Sequence, residues 1–60
     1  MDKQRLIENI KREDVWDTAK HSYAETLIRK YDSEDVRDFL FERFKKTGDY
    51  FYISLLKQKT

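Results

Sequence analysis

The only histidine of the chain, His21, has an acidic residue four positions away on either side. In a helix, Asp17, His21 and Glu25 would share one face, because residues four apart are neighbours on the helix surface. An imidazole between two carboxylates could hold a metal ion or transfer a proton. A zinc site, however, takes three or four protein ligands supported by further hydrogen bonds, and the sequence offers no additional ligand here. We therefore expect a solvated ladder of ion pairs and no metal.

Other catalytic groups are scarce. The chain has no cysteine, which excludes a thiol nucleophile, a thiolate metal site and a disulfide framework. Gly48 is the only glycine, whereas a phosphate-binding loop needs several. No serine is placed in a cleft-forming loop, because all three lie in predicted helices or caps: Ser22, Ser33 and Ser54. We predict that the protein is not an enzyme and uses no cofactor.

Positive charge is the next feature that could bind a ligand. Basic pairs occur at 11–12, 29–30 and 45–46, each at the end of a predicted helix. The helix dipole favours cations at that end, which accounts for the pairs without a ligand. The formal net charge is only +1 and the pI is about 8.0, whereas DNA-binding domains usually carry a markedly basic face.

One alternative is a small nucleic-acid-binding regulator. Residues 39–57 have the outline of a helix-turn-helix. The second helix would begin with Tyr50-Phe51-Tyr52, however, where a recognition helix presents polar side chains to the bases. In this alternative, two chains dimerise through their C-terminal halves and align three basic side chains each, Arg43, Lys45 and Lys46.

Aromatic residues are unevenly distributed along the chain. Seven of the nine lie between Tyr31 and Tyr52. A domain this small buries too little surface to enclose all of them, and aromatic side chains are enriched in the energetically important parts of protein interfaces. The alternative is that they only form the core of a helical fold. We predict that protein contacts are made by six side chains, Phe41, Tyr50, Phe51, Tyr52, Leu55 and Leu56.

The elements that would position these residues follow from apolar spacing and capping residues. Proline is absent and Gly48 stands alone, so little interrupts a helical path. We predict an all-α bundle of three to four short helices, at about 2–12, 15–31, 33–47 and 49–57, with Asp14 capping the second. Two alternatives stay open: residues 2–31 as one long helix, and 49–57 as a strand paired with another chain. The predicted core within one chain is Trp16, Tyr23, Leu27, Phe39, Leu40 and Phe44.

Size and composition bound the function. Of the 60 residues, 38% are hydrophobic and 42% charged, and no apolar run is long enough to span a membrane. We predict a single small helical domain over 1–60, in the cytoplasm and away from membranes. Chains of this size without disulfides often gain stability by self-association, so we expect a homodimer. The favoured function is a protein-interaction module, a small regulator or adaptor that binds itself or a larger protein. A structural piece of a larger helical assembly is a further alternative.

Overall fold

Four α-helices joined by short connections make up residues 2–57, the part of the chain that our computed structural model describes. The all-helical prediction is confirmed. The strand alternative for the last segment is wrong, because residues 50–57 are helical. One long helix over 2–31 is also wrong, since the backbone at Arg12 is extended. The helices are α1 (Lys3–Lys11), α2 (Asp17–Lys30), α3 (Glu34–Thr47) and α4 (Tyr50–Lys57).

Helix α2 begins two residues later than predicted, and Asp14 does not cap it. The Asp14 carboxylate accepts two hydrogen bonds from the Arg12 guanidinium, at 2.9 and 2.7 Å, and this contact lowers the pKa of Asp14. Trp16 occupies the cap position in an extended conformation (φ −65°, ψ 150°), with no side-chain hydrogen bond to the helix. The helix therefore starts at Asp17, whose carboxylate lies at the positive end of the helix dipole.

Helix α3 begins within the acidic run at 32–35, one residue later than predicted. Ser33 occupies the cap position, but its hydroxyl donates to the carboxylate of Asp35 and lies 3.2 Å from the carbonyl oxygen of Tyr31. The serine hydroxyl therefore organises the connection instead of accepting a hydrogen bond from the helix. Glu34 and Asp35 occupy the first turn, where negative charge is favourable.

A two-residue turn separates α3 from α4, which begins one residue later than predicted. Gly48 adopts the left-handed conformation (φ 74°), which is strained for residues with a side chain, and its N–H donates to the Phe44 carbonyl at 2.7 Å. The Asp49 carboxylate then accepts a hydrogen bond from the N–H of Phe51 at 3.0 Å. Together these two residues end one helix and start the next within a short length of chain.

Each helix contributes two side chains to a single apolar core. Of the predicted core residues, Leu27 and Leu40 are fully buried, whereas Tyr23, Phe39 and Phe44 pack partly against the core. The prediction for Trp16 is wrong: it precedes α2 and is 82% exposed. The buried side chains are Leu6, Ile10, Ala24, Leu27, Val36, Leu40, Tyr52 and Leu55.

The helices are arranged as two hairpins. Helix α1 packs on α2 and α3 packs on α4, while α2 also contacts both α3 and α4. Lys3 and Asp35 form an ion pair at 2.5 Å between α1 and α3. This ion pair, together with the Ser33 hydroxyl, lowers the pKa of Asp35 to about 2. No helix within residues 2–57 has the length and hydropathy needed to cross a bilayer.

Candidate protein-binding surface

Three aromatic rings form a row at the corner between α3 and α4. The ring centroids of Phe41 and Phe44 are 6.3 Å apart, and those of Phe44 and Tyr50 are 5.3 Å apart. The two outer rings are exposed, Phe41 to 43% and Tyr50 to 74%, while Phe44 packs partly against the core. The turn at Gly48 brings Tyr50 back beside the last turn of α3. We call Phe41, Phe44 and Tyr50 the aromatic surface.

The six predicted contact residues do not share one surface. Phe41 and Tyr50 are exposed and available to a partner. Tyr52 and Leu55 are 2% and 5% exposed, so they hold α4 against the rest of the chain and cannot reach a partner while it is folded. The reason is that α4 is apolar on nearly all sides, and one of those sides must face α2 and α3. The remaining two pack partly against the core: Phe51 and Leu56.

Phe51 lies beneath the ring of His21. The two ring centroids are 4.1 Å apart and nearly parallel, and His21 Nε2 lies 2.5 Å from Asp49 Oδ2. His21 therefore binds α4 instead of joining the predicted ladder with Asp17 and Glu25, and Glu25 pairs with Arg29 at 3.2 Å. The hydrogen bond from the Phe51 N–H, followed by that from His21, lowers the pKa of Asp49. The carboxylate thus joins α2 to the N-terminus of α4.

A groove of about 450 Å³ runs beside the C-terminal halves of α1 and α3. It contains all three basic residues of the nucleic-acid alternative, and α1 adds Lys11 as a fourth cation. The Lys11 Nζ lies 5.9 Å from the centroid of the Phe39 ring, which forms part of the groove wall. We call this the basic groove. It is lined by Lys11, Phe39, Glu42, Arg43, Lys45 and Lys46.

Arg43 joins the basic groove to the core. Burial raises the pKa of the Tyr52 hydroxyl, and the positive charge of the Arg43 guanidinium opposes that shift. Arg43 Nε is buried without a hydrogen-bond partner among the described residues. The guanidinium is thus held in place by the fold, unlike the long exposed side chains of Lys45 and Lys46.

Lys45 joins the basic groove to the aromatic surface. Its Nζ lies 5.4 Å from the centroid of the Phe41 ring and 3.7 Å from Glu42 Oε2. A cation above an exposed aromatic ring offers both an apolar contact and a positive charge within a few ångströms. The two features therefore form one continuous surface centred on α3, suited to a ligand that is apolar in one part and acidic in another.

Sequence reasoning missed the contribution of α1 to this region. Lys11 and Phe39 are 28 positions apart, and no periodic pattern relates residues on different helices. Trp16 was also missed as a surface residue; it lines a depression of about 200 Å³ with its three predecessors, Glu13, Asp14 and Val15. Within residues 2–57, no group of three His, Asp or Glu side chains is placed to hold a metal ion.

No protein-family model, curated protein or solved structure matches this chain. A fold of this class hosts many functions, so function has to be inferred from the side chains described above.

Proposed function

We propose that the chain is a non-enzymatic protein-binding module of the cytoplasm, a small regulator or adaptor that acts through its aromatic surface. The observation that carries this proposal is the exposure of Phe41 and Tyr50, 43% and 74%, at the two ends of a continuous row of rings. Aromatic side chains clustered on a surface are enriched at protein interfaces, where they supply a large share of the binding energy.

The basic groove determines the kind of partner. Its lining carries four cations and a single acid, Glu42. A partner that covers the aromatic surface would extend over Lys45 into the groove, because Lys45 belongs to both. The partner segment that fits this arrangement has an apolar or aromatic residue beside acidic residues. Such charge complementarity would contribute more to the association rate and to specificity than to affinity.

Quantitative capture from native lysate tests the proposal with three matched variants. Phe41→Ser and Tyr50→Ser each remove one ring of the aromatic surface, and Trp16→Ser removes a more exposed ring elsewhere. The wild type and Trp16→Ser should capture equal amounts of a partner of this surface. The amount captured by Phe41→Ser or by Tyr50→Ser should be lower by about fivefold or more. Equal capture by all four chains, or a loss with Trp16→Ser alone, would contradict the proposal.

Substitutions at the buried positions of α4 would not serve as a test. Tyr52→Ala removes a side chain that is 2% exposed, so it lowers the stability of the fold before it affects any surface. Loss of binding in such a variant would report unfolding. Far-UV circular dichroism on Phe41→Ser and Tyr50→Ser provides the necessary check, since both positions are exposed and their helices should persist.

A second candidate function, binding of nucleic acid, is favoured by the basic groove. Lys11 joins Arg43, Lys45 and Lys46 there, so one chain presents four cations around a single groove, and cationic side chains are the usual contacts of nucleic-acid phosphates. Fluorescence anisotropy with a labelled DNA duplex decides between the candidates. Binding that weakens steeply with salt and is reduced by Lys11→Gln supports this function, and absence of binding at low salt removes it.

A further inference from the structure

One exposed stripe of α3 carries opposite charges at its two ends. Glu34, Asp38, Phe41 and Lys45 are spaced by four, three and four residues, which places them within about 60° of one another around the helix. All four are exposed, and the two buried residues of α3 lie on the opposite side. The stripe therefore points away from the core. We call these four residues the α3 stripe.

We infer that two copies of this chain associate through the α3 stripe, with their α3 helices antiparallel and the two-fold axis beside Phe41. This inference rests on the proposed function and names the partner as a second copy of the chain. Helix α3 covers Glu34–Thr47, so Phe41 lies next to its midpoint. An antiparallel pair centred there brings the two exposed Phe41 rings together. Because of the two-fold axis, each contact between two different positions occurs twice.

The charges of the α3 stripe are complementary to themselves in this arrangement. Asp38 lies about 4.5 Å before Phe41 along the axis and Lys45 about 6 Å after it, because each residue advances the helix by about 1.5 Å. In the antiparallel pair, Asp38 of one copy therefore lies opposite Lys45 of the other, with an axial offset of only about 1.5 Å. The pair forms twice. A parallel pair would place like charges opposite each other, so the charge pattern specifies the antiparallel orientation.

The acids of the α3 stripe are available for this contact. Within residues 2–57, neither Glu34 nor Asp38 takes part in an ion pair. Lys45 Nζ lies over the Phe41 ring of its own helix and has a loose contact with Glu42 at 3.7 Å, and the Lys45 side chain is 56% exposed. Antiparallel alignment of the two helix dipoles adds a further favourable term.

The size of the stripe determines the strength of the dimer. A helix of 14 residues is about 21 Å long, so one face of it covers less than the roughly 800 Å² per partner of a standard interface. The dimer is therefore weak and reversible, forms at high protein concentration, and dissociates further as salt screens the two charge pairs.

Charge reversal at two positions, followed by mixing, tests the inference. In Asp38→Lys the two copies place lysines opposite lysines, and in Lys45→Asp they place acids opposite acids. Each variant alone should show a dimer dissociation constant raised about tenfold or more, because every change is repeated by symmetry.

The equimolar mixture of the two variants restores both charge pairs. The lysine introduced at position 38 of one variant faces the aspartate introduced at position 45 of the other, and the native Lys45 faces the native Asp38. The mixture should therefore dimerise about as well as the wild type. Phe41→Ser, which removes the ring at the two-fold axis, should raise the dissociation constant about 30-fold.

Sedimentation equilibrium of the wild type, each variant and the mixture gives the readout. A wild type that stays monomeric at high micromolar concentration, or a mixture no more associated than its components, overturns the inference. The proposed function is judged separately by capture from lysate. If the wild type is monomeric but Phe41→Ser no longer captures the proteins that the wild type captures, the protein-binding function stands and the second copy is excluded as the partner. Circular dichroism confirms that the variants stay folded, which their exposed positions favour.

Discussion

Asp49 offers the sharpest test of how α4 is held in place, because its two carboxylate oxygens have different partners. Oδ1 accepts the N–H of Phe51 at 3.0 Å and caps α4, whereas Oδ2 lies 2.5 Å from His21 Nε2. Asparagine caps helices about as well as aspartate but carries no charge, so Asp49→Asn removes only the ion pair. Asp49→Ala removes the ion pair and the cap together.

The expected losses follow from these contacts. A helix cap contributes about 1 kcal/mol. The ion pair contributes about 1 kcal/mol, at the upper end for surface pairs, because its side chains are only 27% and 33% exposed. We expect Asp49→Asn to lower the unfolding free energy by about 1 kcal/mol and Asp49→Ala by about 2 kcal/mol. For a domain of this size, each kcal/mol lowers the Tm by about 4–8 °C.

The pH dependence has a definite sign. The pKa of Asp49 is lower in the folded chain than in the unfolded chain, so its carboxylate stabilises the fold fully above about pH 4. This stabilisation disappears as the pH falls through the folded-state pKa. The stability difference between the wild type and Asp49→Asn should therefore be present at about pH 5 and should vanish in stronger acid.

Urea denaturation followed by far-UV circular dichroism measures these differences, with Glu8→Gln as the control. Glu8 is exposed, so its neutralisation changes the net charge equally and should alter stability by less than about 0.5 kcal/mol. Equal stability of Asp49→Asn and the wild type at about pH 5 would refute a stabilising contact between Asp49 and His21. Equal losses in Asp49→Asn and Asp49→Ala would refute the cap.

Three further predictions concern other parts of the fold. Leu27→Ala removes a fully buried side chain of α2 and should lower the unfolding free energy by about 2–5 kcal/mol, a large part of the total for so small a domain. A loss under about 1 kcal/mol, measured by urea denaturation, would mean that Leu27 does not lie in the core. The Cβ introduced by Gly48→Ala would have no atom within 4 Å, so this substitution should lower the unfolding free energy only through backbone strain, by about 1–2 kcal/mol in the same measurement. Trp16 should show the fluorescence emission of a solvated indole and ready quenching by iodide, since it is 82% exposed. A blue-shifted, protected emission would mean that Trp16 is covered.

The helical architecture could be predicted because its signals are local. The acidic residues in the first turn of α3 and the glycine after its last turn mark the two ends of that helix, and Asp49 marks the start of α4. Each signal depends on neighbouring backbone groups that need a partner at a helix end. Asp14 does not cap α2 because its carboxylate binds the nearby Arg12 guanidinium instead of a backbone N–H at the start of that helix.

The surface could be predicted only in part, because it depends on how the helices rotate against one another. An α4 that is apolar on nearly every side gives no indication of which side faces inward. The sequence therefore does not separate the buried Tyr52 from the exposed Tyr50. Likewise, His21 matches two acids on its own helix by spacing, yet it binds Asp49 from another hairpin. Only the packing of the hairpins decides between such partners.

The basic groove has walls from both hairpins, Lys11 from the first and Phe39 with Arg43 from the second. A ligand in the groove can bind only chains in which the hairpins are docked, so its binding is thermodynamically linked to that docking. A free ligand concentration of a hundred times the dissociation constant would add about 2.7 kcal/mol to the stability of the docked state. For a chain whose total stability is only several kcal/mol, an acidic partner would thus act as a folding cofactor as well as a ligand. Amide hydrogen exchange in α1 would report that occupancy directly.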